Sequence, residues 1–286
     1  AAVGAAVTAS LRTTVPKRGQ HRVVVAVQTL ARTSVATLRL AKDARSRAEE
    51  ERLAAALLLD RLGAHVVAAA GRPLSLGVEE SVVVERQEAL PPWRELLTGD
   101  RDVVAADGPD EPPAAGLLVF PGSFDPLHAG HLQMAVIAQE IAERPLDFEL
   151  SVLNVDKPAL DYLEMRTRAD QFAGRQLWLT RAATFLEKLA VFPEGTFVMG
   201  ADTFARLADP RYYGGSAEAA DRAAHRIAGE ARGLIVFGRE RDGVFEDPAV
   251  LDVPRVLKEV AYFVSPREFR MDVSSTALRR QREVAE

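Results

Sequence analysis

The chain has no cysteine among its 286 residues. Disulfides, thiolate nucleophiles and cysteine-held zinc are therefore excluded, and the absence suits a reducing compartment, so a cytoplasmic location is expected. Aromatic residues are scarce, at 6%, which disfavours the stacking platforms that bind single-stranded nucleic acid. Positive charge is not in excess: the formal net charge is −5, so neither nucleic acid nor an anionic membrane is an expected partner. No apolar run reaches the ~18–20 residues of a bilayer-spanning helix. Residues 1–10 are small and apolar, but no basic segment precedes them, which makes a poor secretory signal. Clustered carboxylates are missing too, so no side-chain cage for a metal is expected.

What is present reads as an ordinary globular α/β protein, with 48% hydrophobic and 27% charged residues. The length suggests two units. A start on Ala-Ala-Val-Gly in place of Met suits a chain that begins inside a domain. Charge is unevenly spread: Arg12, Lys17, Arg18, Arg22, Arg32, Arg39 and Lys42 fall in a segment, residues 1–42, without an acid. Such a segment is either a solvated edge or a local anion site.

Strand-like content at 3–11, 22–29 and 34–40 is followed by a helix that Ser46 and Glu49 can open with a capping box, and that is expected to end near Gly63. Residues 71–115 read as a connecting region, with a strand at 82–86, a short helix at 92–97 and a strand at 102–106. It closes on the proline-rich stretch 108–116. We therefore expect a partial α/β domain at 1–70, the connection at 71–115, and a larger domain at 116–286.

In the larger domain strands and helices alternate. Strands are expected at 117–120, 148–155, 176–180, 196–199, 233–237 and 261–264. Helices are expected at 129–143, around 164–172, at 184–192 and from 274 onward. This order implies a Rossmann-like parallel sheet with right-handed crossovers, binding ligands beyond the carboxyl ends of its strands.

The first strand runs into Pro121-Gly-Ser-Phe-Asp-Pro-Leu-His-Ala-Gly-His131. Gly122 and Gly130 would let the backbone approach a phosphate, and Asp125-Pro126 sets a turn. His128 and His131, three apart at a helix start, project from one face. Alone, such a pair could cap the helix or bind a metal. In this strand–turn–helix setting it can donate to a polyphosphate at a site that already favours anions. Near the end of the sequence, Asp272-Val-Ser-Ser-Thr-Ala-Leu-Arg279 offers hydroxyls, amides and Arg279 at a second helix start, though Ser-Ser-Thr is also a good N-cap.

These strings resemble the HxGH motif and the ISSTxIR motif of the nucleotidylyltransferase superfamily, closest to the nicotinamide and nicotinate mononucleotide adenylyltransferases. The resemblance implies that His128 and His131 are the catalytic pair at the triphosphate. It implies nucleotide contacts from Gly122, Ser123, Phe124, Gly130, Ser274, Ser275, Thr276 and Arg279. Phe197-Val-Met-Gly-Ala-Asp202 resembles the family's FxxGAD segment, adding Gly200 and Asp202, although Asp202 could instead cap the following helix. Lys157 stands where these enzymes carry a PPHK-like run and is a candidate phosphate or acceptor contact.

The implied activity is adenylyl transfer from ATP, or another nucleoside triphosphate, to a nicotinamide or nicotinate mononucleotide or other phosphate acceptor, with release of pyrophosphate. Mg²⁺ would be held mainly by the triphosphate. The partners are small nucleotides, with homo-oligomer formation left open. Two alternatives stay open: a cytidylyltransferase acting on a sugar- or polyol-phosphate, and a non-catalytic nucleotide-binding module. The family's TxxTL segment and paired-tryptophan loop have no clear counterpart; Tyr212 and Tyr213 stand nearby as candidate ring contacts or buried aromatics. Residues 3–64 resemble the final half of a CinA-type amidase domain, with Thr13-Thr-Val-Pro-Lys-Arg-Gly19 in place of its glycine-rich loop and Lys17 and Arg18 as candidate anion contacts or solvated charges. That resemblance implies a fold and no activity.

Overall fold

A computed structural model describes residues 2–15, 18–66, 74–107, 111–155, 158–241 and 244–269. Contacts divide the chain into two compact units, residues 1–94 with 161–166, and residues 95–160 with 167–286.

The first unit begins with β1 (Val3–Ser10), β2 (His21–Thr29) and β3 (Arg32–Leu40), followed by α1 (Arg47–Val66) and β4 (Ser81–Glu88). The strands form an antiparallel sheet in the order β1-β2-β3-β4. Alternation in β2 and β3 places Val23, Val25, Val27, Ala36, Leu38 and Leu40 on one buried face, where Leu53 and Leu57 of α1 cover them. Ser46 and Glu49 cap α1 as expected: Ser46 N donates to Glu49 Oε2 at 2.7 Å, and Glu49 N to Ser46 Oγ at 3.3 Å. The helix does not stop near Gly63 but continues to Val66. A helical glycine costs ~1 kcal/mol relative to alanine, too little to end a helix whose face is already packed.

Helix α2 (Pro91–Thr98) leads to the second unit, whose sheet contains β5 (Val103–Ala105), β6 (Leu118–Pro121), β7 (Leu146–Ser151), β8 (Leu177–Thr180), β9 (Thr196–Gly200), β10 (Gly233–Phe237) and β13 (Ala261–Val264). Between them run α3 (Ala129–Ala142), α4 (Tyr162–Ala169), α5 (Phe185–Val191), α6 (Ala201–Arg206), α7 (Ala217–Glu230), the hairpin β11 (Arg239–Arg241) and β12 (Val244–Glu246), and α8 (Arg255–Glu259). The order is β13-β10-β9-β6-β7-β8-β5, parallel throughout except β5, which pairs antiparallel with β8. The protein is thus α/β, with a parallel-rich Rossmann-like sheet and a separate antiparallel sheet.

Two expectations change. Strand β5 falls in the stretch read as connecting region, yet it is the edge of the larger sheet. Helices α7 and α8 were not expected; α6 is the helix that the capping alternative for Asp202 supposed, but Gly200 is its N-cap and Asp202 lies in its first turn. From β6 the chain crosses to β7 on one side, while β9 lies on the other. The order reverses there, and the carboxyl ends of β6 and β9 flank the crevice where such sheets take ligands.

Candidate functional site

At the end of β6 the backbone turns away through Gly122, whose N–H donates to Glu149 O of β7 at 2.9 Å. A Cβ on Gly122 would stand 2.6 Å from Phe124 Cζ. The glycine is therefore required by an aromatic ring of the protein itself, and not only by a phosphate as the sequence suggested. Phe124 adopts φ 44° and turns inward until it is 1% exposed. Its ring meets Phe120, Phe148 and Phe172 edge-on at 5.5, 5.5 and 5.1 Å. Phe124 thus supports the loop from below, while Ser123 is exposed. The peptide joining Asp125 and Pro126 is cis.

Two side chains that sequence reasoning missed brace this loop from outside. Arg168 donates to Ser123 O at 3.0 Å and lies 3.6 Å from the Asp125 carboxylate. Gln171 accepts from Leu127 N at 2.8 Å and donates to Phe124 O at 3.1 Å. They sit more than 40 residues downstream of the motif, so no local pattern announces them.

The braced loop delivers His128 to the N-cap of α3. His128 Nδ1 accepts from His131 N at 3.4 Å, and His131 Nδ1 accepts from His128 N at 3.3 Å. The two rings stack with centroids 3.7 Å apart, and His131 also meets Phe124 edge-on at 5.1 Å. Burial lowers the pKa of His128. Burial, and then the neighbouring His128, pulls His131 down to about 4. Both imidazoles are therefore neutral at pH 7. An Nδ1 that accepts a backbone N–H cannot carry the proton, so each ring holds it on Nε2. The result is a pair of parallel, neutral N–H donors at a helix N-terminus. Gly130 is buried in the first turn of α3.

Across the switch point, Gly200 forms the N-cap of α6, and a Cβ built on it would meet nothing within 4 Å. No packing demand within the described residues requires a glycine at this strand end, where a Cβ would point into open space. Asp202 in the first turn of α6 is 2.6 Å from Arg239, which also donates to Glu246 at 2.9 Å. The carboxylate singled out from sequence thus lies in an ion network whose cation was not anticipated.

Beyond the end of β8 lies a cavity of about 150 Å³ lined by Asn154, Thr184, Phe185, Arg206, Tyr212 and Tyr213, among others. Tyr213 OH donates to Leu207 O at 2.7 Å, and burial raises its pKa. Both tyrosines named from sequence therefore face this cavity. Lys157, Ser274, Ser275, Thr276 and Arg279 lie outside the described residues, as does Lys17.

The sequence matches the family description cytidylyltransferase-like over residues 119–281. The chain belongs to this family. Every candidate residue from Gly122 to Arg279 falls within the matched span, while residues 1–94 of the first unit lie outside it. Membership in the cytidylyltransferase-like family supports nucleotidyltransferase activity in general, and the parallel-rich sheet is the fold such activity uses. No curated protein matches the chain. Among the described residues no helix is long and apolar enough to cross a membrane.

Proposed function

We propose that the chain transfers a nucleotidyl group from a nucleoside triphosphate, ATP in our reading, to a phosphate monoester of the mononucleotide type. An acceptor phosphate oxygen attacks the α-phosphorus, the bond to the β-phosphate oxygen breaks, and pyrophosphate leaves. Such displacement needs little covalent help, so the protein's part is to position the reactants and to stabilise charge.

The observation that carries this reading is the reciprocal histidine cap. It fixes two neutral imidazoles with Nε2–H directed away from the helix backbone, ready to meet charge that grows on the triphosphate. Gly200 leaves room for the nucleotide beside them. The 150 Å³ cavity offers aromatic faces from Phe185, Tyr212 and Tyr213 for a ring, and Arg206 and Asn154 for polar groups of the acceptor. In our reading Ser274, Ser275, Thr276, Arg279 and Lys157 add phosphate contacts. Mg²⁺ belongs to this reading as the triphosphate's own counter-ion, with phosphate oxygens as its main ligands. For the first unit we propose a CinA-like fold, supported by its antiparallel sheet and covering helix, with no activity assigned.

The family's description favours one rival, cytidylyl transfer from CTP to a sugar- or polyol-phosphate. Pyrophosphate release measured over a panel of triphosphates, each with mononucleotide and polyol-phosphate acceptors, separates the two. We expect ATP with nicotinamide or nicotinate mononucleotide to give the fastest release, and His131→Ala to lose ~10²–10³ of it. Equal release by wild type and His131→Ala would remove the assigned role. Triphosphate binding without turnover of any acceptor would leave a binding module.

A further inference from the structure

Beneath the strand ends lies a buried ion pair that the transfer reaction does not use. Glu149 of β7 and Lys188 of α5 have side chains 0% and 8% exposed, 2.8 Å apart. Lys188 Nζ donates to both carboxylate oxygens and to Ala182 O, each at 2.8 Å, which uses all three of its donors. Glu149 Oε1 also accepts from Thr180 Oγ1 at 2.5 Å, and that hydroxyl accepts from Ala182 N at 3.2 Å. The network is closed. All three Lys188 donors are used and both Glu149 oxygens are engaged, and neither side chain lines the cavity, so the pair is not placed to act on a ligand directly.

Its connections suggest a different job. Through its main-chain oxygen Glu149 holds Gly122 N, the first residue of the loop that ends in the two histidines. Through its side chain it holds Thr180 and, with Lys188, both the N–H and the carbonyl side of Ala182. Two residues later Thr184 caps α5, and Ala183, Thr184 and Phe185 form one wall of the cavity. A single residue of β7 thus bonds to the first residue of the donor loop on one side and, through Thr180 and Lys188, is linked on the other to Ala182, the residue just before the cavity wall. Buried ion pairs seldom add net stability over apolar replacements of similar volume, so stability alone does not account for this one.

We infer that Glu149 and Lys188 form a positioning clamp that sets the wall 182–185 in register with the histidine loop, so that a bound acceptor lies in line with the α-phosphorus. This rests on the cavity being the acceptor's place.

The test is the double variant Glu149→Leu/Lys188→Met, which removes both charges together and leaves neither ion stranded. Two measurements are made on the full chain. The first is KM for a mononucleotide acceptor against KM for the triphosphate. The second is amide hydrogen exchange along residues 180–192. The clamp predicts an acceptor KM raised roughly ten- to a hundred-fold, with the triphosphate KM changed less than about twofold, since small misplacements cost this much. It also predicts faster exchange confined to residues 181–185. Thr180→Val keeps the side-chain shape, cuts the hydroxyl link to Ala182, and should move both readouts in the same direction by a smaller factor.

If the double variant does not fold, Thr180→Val decides. Unchanged exchange at 181–185 in the folded variants overturns the clamp, as does an equal rise in both KM values. If the wild type turns over no acceptor, exchange alone decides the clamp. Faster exchange confined to 181–185 would then keep it while the acceptor reading falls.

Discussion

Helices α3 and α5 both start in a capping box, but they build it from different chemistry. In α5 the partners are Thr184 and Glu187, with Thr184 N donating to Glu187 Oε2 at 2.7 Å and Glu187 N to Thr184 Oγ1 at 3.4 Å. These are the residue types that satisfy orphan N–H groups best, and the box serves the helix. In α3 the same two links run through imidazole nitrogens at 3.3 and 3.4 Å. Histidine is not among the favoured N-cap residues, and both bonds lie at the long end of the useful range. There the relation is inverted: the helix end holds the rings, fixing their tautomer and aiming Nε2. A capping box in a structure can therefore mark either a stable helix start or a pair of oriented side chains, and the chemistry of the partners tells which.

The sharpest way to break the comparison is to give α3 one ordinary cap. His128→Ser keeps an acceptor for His131 N and removes one Nε2 donor. We expect nucleotidyl transfer to fall by ~10²–10³, while denaturant unfolding stays within about 1 kcal/mol of wild type. A loss of stability with activity intact would make the α3 box a mere cap, like that of α5.

The contrast also explains what the sequence could and could not reveal. The strands at 233–237 and 261–264 match their expected limits, because each is a short apolar run bounded by polar or turn residues. The histidine loop was legible because its residues are contiguous, and chemistry packed into eleven neighbours leaves a local pattern. The long-range partners were not. Arg168 and Gln171 reach back more than 40 residues to the loop, Lys188 reaches 39 to Glu149, and Arg239 meets Asp202 only because β9 and β10 are adjacent. Each of those side chains looks like an ordinary surface polar group until the topology brings it to its partner. The same holds for Gly122, where a phosphate was the visible reason for a glycine and the ring of Phe124 was the hidden one.

A second difference between the two boxes lies in their response to acid. His131 titrates in the folded chain at about 4, against the ordinary 6.5, because burial and His128 disfavour its charged form. Between these values the unfolded chain takes up a proton that the folded chain refuses, so stability falls as pH drops from 6.5 towards 4. Above 6.5 the term is constant. Melting temperature followed across this window should decline in the wild type and decline less in His131→Gln, which cannot titrate. Parallel curves for the two proteins would mean that His131 is not held neutral by its surroundings. The neutral pair also predicts kcat/KM without a fall between about pH 6 and 8, since no imidazolium has to be lost.

The smallest effect is expected at α5, and it is the converse of the first. Glu187→Ala removes the acceptor of Thr184 N and of Thr184 Oγ1 on an exposed helix start, leaving the hydroxyl cap on Glu187 N in place. Half a capping box is worth about 0.5–1 kcal/mol, so the unfolding midpoint should shift slightly. Glu187 lines neither the histidine loop nor the cavity, so kcat should stay within about twofold, far below the ~10²–10³ expected for a lost transition-state donor. Stability would then move without activity at α5, and activity without stability at α3. A large loss of kcat in Glu187→Ala would show that the start of α5 takes part in transfer as directly as the histidines do, and would erase the distinction drawn between the two helix ends.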